Sequence, residues 1–162
     1  MTRVAVVGAG VMGCATAWAL AGRGVDVTLH EQFEVDHARG SSHGRSRIVR
    51  FAYPEPDWVR LAEEARAAWR ELEEATGQTL LELDGFVELA TSPELTSHEA
   101  LTACGVDHRL LPADEARALG VALPPGWCAL EEATGGIIRA DLARRALLET
   151  AIRSGVRFET GS

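Results

Sequence analysis

Residues 39 to 56 read R-G-S-S-H-G-R-S-R-I-V-R-F-A-Y-P-E-P, which places Arg39, His43, Arg45, Arg47 and Arg50 in one short stretch. The 162-residue chain as a whole carries a net charge of -8, so this stretch reverses the local sign. A guanidinium captures a carboxylate or phosphate through paired N–H donors, which a lysine ammonium cannot do. The small residues among the arginines, Gly40, Ser41, Ser42 and Gly44, offer backbone N–H groups and hydroxyls for close approach to a ligand. Arg45 and Arg47 share a face if the backbone is extended, and Arg47 and Arg50 if it is a helical turn. The chemistry is anion binding; the competing reading is a solvated basic loop, since charge clusters usually lie at the surface.

A second pattern supplies a candidate anion. Gly8-Ala9-Gly10-Val11-Met12-Gly13 is G-x-G-x-x-G, between the apolar run Val4–Val7 and a helical pattern over Val11–Arg23. Val25–His30 follows as a second strand, so the chain opens with a βαβ unit. Gly8 permits the tight turn, Gly10 lets the main chain approach a pyrophosphate, and Gly13 lets the helix pack against the strand. The helix N-terminus then faces the phosphate charge. Glu31, 18 residues beyond Gly13, ends the second strand, where a carboxylate can accept hydrogen bonds from ribose hydroxyls. An acidic residue here disfavours a 2′-phosphate and hence NADP; the turn alone leaves NAD and FAD open.

Composition narrows the class. Hydrophobic residues make up 46% and charged residues 25%, as in soluble globular chains, and the length is that of one domain with a sizeable core. The acidic balance argues against nucleic acid as a partner. Cys14, Cys104 and Cys128 are widely spaced and odd in number, which fits a reducing, cytoplasmic setting better than a disulfide framework. The apolar N-terminus could pass for a signal peptide, but its glycines have the tasks above. No other apolar run approaches the ~20 residues of a membrane span. His30 and His37 flank Glu31 without a Cys or third His nearby, so no metal site is expected.

The remaining elements follow from periodicity and punctuation. Trp58, Leu61, Ala62, Ala65, Trp69, Leu72 and Ala75 predict the apolar face of a helix capped by Asp57 and stopped by Gly77. Phe86–Ala90 reads as a strand after the Asp84-Gly85 turn, Asp114–Leu119 as a short helix, and Gly135-Gly136 as a turn between short strands. A helix capped by Asp141 and stopped by Gly155 leads to a last strand over Val156–Glu159.

Gly8 to Glu31, followed by G-S-S-H-G-R-S-R-I-V-R-F-A-Y at 40–53, resembles the start of the monomeric sarcosine oxidases and N-methyltryptophan oxidases, within the D-amino-acid-oxidase-like flavoproteins. The resemblance continues through the Trp69 helix, Asp84–Val87 and Gly135–Ile137. It implies an α/β, Rossmann-like FAD-binding domain interleaved with a substrate domain. The expected division is 1–80 and 134–162 for FAD binding and 81–133 for the substrate domain. The implied reaction is oxidation of an amino-acid or N-methyl amino-acid C–N bond to an imine, with oxygen reduced to hydrogen peroxide. By position, Gly8, Gly10, Val11, Met12 and Gly13 would hold the FAD pyrophosphate and Glu31 the ribose. Ser42, His43, Ser46 and Arg47 would lie against the flavin, with Arg47 near its ring as the catalytic cation. Arg50 and Tyr53 would bind a small amine or amino-acid substrate.

Two departures accompany the resemblance. Ser42-His43 stands where many members have two histidines. The family's covalent flavin cysteine, second substrate-binding cation and oxygen-activating lysine fall in a C-terminal part that this chain lacks. An incomplete sheet would also leave an exposed edge through which chains could self-associate. A nucleotide-binding fragment without redox activity and an NAD-dependent dehydrogenase are the alternatives.

Overall fold

The computed structural model describes residues 2–91 and 95–161. In chain order the elements are β1 (Arg3–Val7), α1 (Val11–Gly22), β2 (Asp26–Glu31), β3 (Arg47–Val49), α2 (Pro56–Thr76), β4 (Leu81–Glu82) and β5 (Phe86–Ala90). Then come α3 (Thr96–Cys104), β6 (Arg109–Leu111), α4 (Ala113–Ala118), β7 (Cys128–Glu132), β8 (Gly136–Ile138), α5 (Ala140–Arg153) and β9 (Arg157–Thr160). These fall into two compact units: residues 1–47, 71–80 and 138–162 form the first, residues 48–70 and 81–137 the second. A short sheet has the order β3-β8-β4.

The first unit is built on a parallel sheet in the order β1-β2-β9, with Val4 opposite Val27 and His30 opposite Glu159. Parallel neighbours need a crossover, which α1 supplies between β1 and β2. Burial alternates along β2, so Val27, Leu29 and Glu31 point into the interior on one face. Cys14 and Ala17 of α1 and Ala143, Leu147 and Ala151 of α5 complete this core, and the small cysteine and alanine side chains let α1 and α5 pack together.

β1 departs from the buried strand its composition suggests. Val6 faces α1, its Cγ1 lying 3.6 Å from where a Gly13 Cβ would be. Ala5 and Val7 therefore point the other way, and Val7 is 87% exposed. Among the described residues β1 pairs only with β2 and is an edge strand.

The second unit centres on an antiparallel sheet in the order β5-β7-β6. Its core gathers Phe51, Ala52, Val59, Ala100, Leu101 and Leu130, with Leu111, Ala116 and Ala129 in a second cluster. On α2 the buried face is turned by about one residue from the expected one. Val59 and Leu72 are fully buried, whereas Trp58 (55%) and Leu61 (51%) are exposed and Ala65 and Ala75 lie at the surface. Arg66 lies on the buried side as well, its guanidinium 4.8 Å from the Phe51 ring centroid, an inward position that an apolar count overlooks. Asp57 lies in the first turn of α2 and pairs with Arg60 at 2.7 Å instead of capping the helix. Asp141 likewise is no cap, since α5 begins at Ala140 with Arg139 at its N-cap.

Cys14 is completely buried, its Sγ 3.3 Å from the Ala9 carbonyl oxygen, and burial first of all pushes its thiol pKa up to about 11. Thiolate is the reactive form, so Cys14 is a packing residue. The expected outcome of alkylation followed by mass mapping is an unmodified Cys14 in the folded chain that reacts once urea unfolds it.

Candidate functional site

In the first unit, Gly8 adopts φ +94°, which favours glycine, and its N–H donates to the His30 carbonyl at 2.7 Å, tying the start of the β1–α1 turn to β2. A Cβ built on Gly13 would lie 1.8 Å from the Gly8 carbonyl oxygen, so α1 crosses the turn at a distance only glycine allows. A Cβ on Gly8 would meet nothing within 4 Å, which leaves that face of the turn open. At Gly10 it would meet Ser42 Oγ at 3.2 Å, and the same Oγ accepts the Val11 N–H at 3.1 Å. Ser42 thus stands at the α1 N-terminus, where the first N–H groups have no intrahelical partner. Met12, in that first turn, is exposed.

Glu31 lies against the same turn. Its Oε2 accepts the Ala9 N–H at 2.8 Å and its Oε1 the Phe33 N–H at 3.1 Å, with His37 Nε2 at 3.4 Å. Burial alone would raise its pKa; the Ala9, Phe33 and Gln32 N–H groups and His37 together outweigh it and hold the carboxyl below the usual range. A group depressed in the folded state contributes stability that is complete above its unfolded value, near 4.5, and is lost as pH falls through the folded value. In urea unfolding, the gap between the parent and Glu31→Gln should stay constant above that value and shrink in acid. A gap that widens in acid would contradict this.

Beyond Glu31, at the carboxyl ends of β2 and β9, lies a cleft of about 530 Å³ whose lining includes Phe33, Asp36, His37, Arg39 and Gly161. The Phe33 and His37 rings meet edge to face at 5.0 Å, and the Arg39 guanidinium lies 4.6 Å from the Phe33 centroid. Asp36 is held by Arg144 and Arg145, each at 3.0 Å. Ligands of open α/β sheets bind at this end of the strands.

The basic loop is strapped to the start of α5. Asp141 Oδ1 accepts the Gly44 N–H at 2.8 Å, while Gly44 and Arg45 carbonyls accept the Asp141 and Ala140 N–H groups. Within the loop, Arg47 donates to the carbonyls of Ser41 (2.6 Å), His43 (2.5 Å) and Ser46 (2.8 Å), and His43 Nδ1 contacts the Gly40 carbonyl. His43, Ser46 and Arg47 are exposed. The first unit therefore brings together the glycine turn, Ser42 and Glu31, and holds Arg47 inside its own loop.

Arg50 and Tyr53 belong to the second unit. The Arg50 guanidinium is exposed and stands 5.0 Å from the Tyr53 centroid and 5.9 Å from that of Phe86. The backbone that follows it is fixed by Glu132, which is fully buried and accepts the N–H groups of Phe51 and Ala52, both at 2.7 Å. Burial pushes the Glu132 carboxyl above the usual range, the two N–H groups work against that shift, Glu88 adds to it and Arg50 opposes it.

Sequence reasoning missed three of these contacts. Asp141 reads as a cap, and no local signal ties it to Gly44, 97 residues away. His37 was weighed as a metal ligand, whereas it faces Glu31. Glu132 had a usable signal, because strand alternation puts it on the face of buried Leu130.

The residues present suit a dinucleotide: an open glycine turn under a helix N-terminus, and a buried carboxylate at the end of the adjacent strand. That fold and turn define a dinucleotide-binding protein. The chain belongs to the DAO family of FAD-dependent oxidoreductases, whose model matches residues 3–162, and FAD is the cofactor of that family. It is 40% identical over 147 residues to peroxisomal sarcosine oxidase of Mus musculus, covering 88% of this chain and 38% of that protein. It is 37% identical to the monomeric sarcosine oxidase of Streptomyces avermitilis, covering 96% and 42%. Among solved structures it is similar to NikD, an unusual amino acid oxidase essential for nikkomycin biosynthesis, with TM-score 0.80 and 26% identity over 99% of this chain and 44% of that one. The chain thus spans about two fifths of the length of the curated relatives it matches. Among the described residues no helix is long and apolar enough to cross a membrane.

Proposed function

We propose that this chain is the FAD-binding portion, with part of the substrate domain, of an oxidase of the sarcosine oxidase type. The observation that carries the reading is the convergence, within one unit, of the glycine turn, Ser42 at the α1 N-terminus and Glu31 at the end of β2. Gly8, Gly10, Val11, Met12 and Gly13 hold the pyrophosphate, Glu31 the ribose, and the cleft lined by Phe33 and His37 takes the adenine. Ser42, His43, Ser46 and Arg47 lie against the flavin, and Arg47 supplies a fixed positive charge there. Arg50 captures the carboxylate of an amino-acid or N-methyl amino-acid substrate, and Tyr53 shares that site.

Bound FAD would supply the two-electron acceptor for oxidising the substrate C–N bond to an imine, the carbon giving up a hydride and the nitrogen a proton, with oxygen reduced to hydrogen peroxide. The contribution of the chain's own residues is to bind and orient. Residues 1–80 and 134–162 are assigned to the FAD-binding domain and residues 81–133 to the substrate domain. A cytoplasmic setting suits three cysteines present as thiols. The open β1 edge is where a further strand, or a second copy of the chain, would add. The test is oxygen consumption by the flavin-loaded full-length oxidase that contains this chain, with sarcosine as probe. Hydrogen peroxide formed in step with sarcosine loss supports the reading, and an FAD-loaded protein inert to every N-methyl and primary amino acid overturns it.

A further inference from the structure

Glu132 has no task in the proposed chemistry, yet it is a fully buried carboxylate whose two oxygens are both committed. Oε2 accepts the Phe51 N–H and Oε1 the Ala52 N–H, each at 2.7 Å. These are the two residues between Arg50 and Tyr53. The Tyr53 N–H also donates to the Phe51 carbonyl at 2.8 Å, so the segment closes on itself in a tight turn centred on Ala52. Both rings that Arg50 approaches depend on this arrangement. Tyr53 leaves the turn directly, and Phe86 pairs with Glu132 across the β5–β7 ladder. Directly opposed residues of an antiparallel pair project from the same face. One rung of the sheet therefore carries the acceptor for the backbone after Arg50 and a ring beside its guanidinium. Burial of a carboxylate is costly unless it is well paired, and here all of the hydrogen-bond pairing is with main-chain amides. Fixing the direction in which Arg50 leaves the chain gives that burial a purpose.

We propose that Glu132 is a positioning residue for Arg50: its carboxylate clamps the Phe51 and Ala52 amides and so presets the guanidinium for a substrate carboxylate. The inference rests on the reading of Arg50 as the substrate-carboxylate cation. Glutamine at 132 keeps the size but offers one oxygen and one NH2, which sets a donor against one of the two amides. In the flavin-loaded protein with sarcosine as probe, Glu132→Gln should raise KM roughly tenfold and move kcat by a smaller factor. The dissociation constant of acetate, read from perturbation of the flavin spectrum, should rise in parallel. In an Arg50→Ala background the same substitution should change neither, because the group it positions is gone. Glu132→Asp, which keeps the charge and withdraws it by one methylene, gives the same split if the glutamine variant does not accumulate. If Arg50→Ala raises KM but neither variant at 132 does, the positioning role is overturned and the reading of Arg50 stands. If Arg50→Ala itself leaves KM and acetate binding unchanged, the reading of Arg50 falls and the proposal with it. Additive effects in the double variant would make Glu132 a purely structural residue.

Discussion

Gly13→Ala is expected to remove FAD binding and to lower the unfolding midpoint of the first unit by roughly 10 °C or more. The added methyl would lie 1.8 Å from the Gly8 carbonyl oxygen and 3.1 Å from its carbon, and both belong to the backbone of a closed turn. A flexible side chain could swing away from such a contact; this turn cannot, because Gly8 is tied to His30 and Ala9 to Glu31. Relief would require α1 to lift off β1, opening the packing around Cys14 and Ala17 that sets the helix N-terminus over the turn. Overpacking a tight interior typically costs 1–3 kcal/mol, and a clash with fixed backbone belongs at or above the top of that range. Thermal unfolding followed by circular dichroism, with flavin quenching on the same sample, checks both halves. A variant that melts with the parent and still binds FAD would show that α1 does not need its close approach to the turn.

Arg50→Ala should raise KM for sarcosine roughly 10- to 100-fold in the flavin-loaded protein, the range expected when a charge-assisted pair with a carboxylate is lost. The exposed guanidinium, supported by the Tyr53 and Phe86 rings, is free to turn its donors outward. An amine that lacks the carboxylate should be turned over equally well by parent and variant, which separates loss of carboxylate capture from general damage. Equal impairment with both amines would assign Arg50 to folding.

The opening βαβ unit was legible because its signals are local. The apolar run of β1, the glycines of the turn and the acidic end of β2 lie within 31 residues and obey one geometric rule. Elements that depend on distant partners were not. β3 is three residues long, alternates no hydrophobic pattern and exists by pairing with β8, some ninety residues on. α3 begins Thr96-Ser97-His98, poor helix formers, and is fixed by Ala100 and Leu101 in the core. On α2 an apolar count selects Trp58 and Leu61, whereas Val59 is buried and Arg66 lies against Phe51. The same division runs through the candidate site. Gly13 and Glu31 are readable from spacing. The carboxylates that hold the site's backbone, Asp141 at Gly44 and Glu132 at Phe51 and Ala52, act across 97 and 80 or 81 residues.

The most direct test of the account is titration of FAD with the purified chain, followed by flavin fluorescence with NAD as competitor and circular dichroism on the same sample. A glycine turn, Ser42 and Glu31 that form an FAD site predict saturable quenching that excess NAD does not reverse. A chain with the circular dichroism of its folded state that leaves flavin fluorescence unchanged, or releases FAD to NAD, would contradict it.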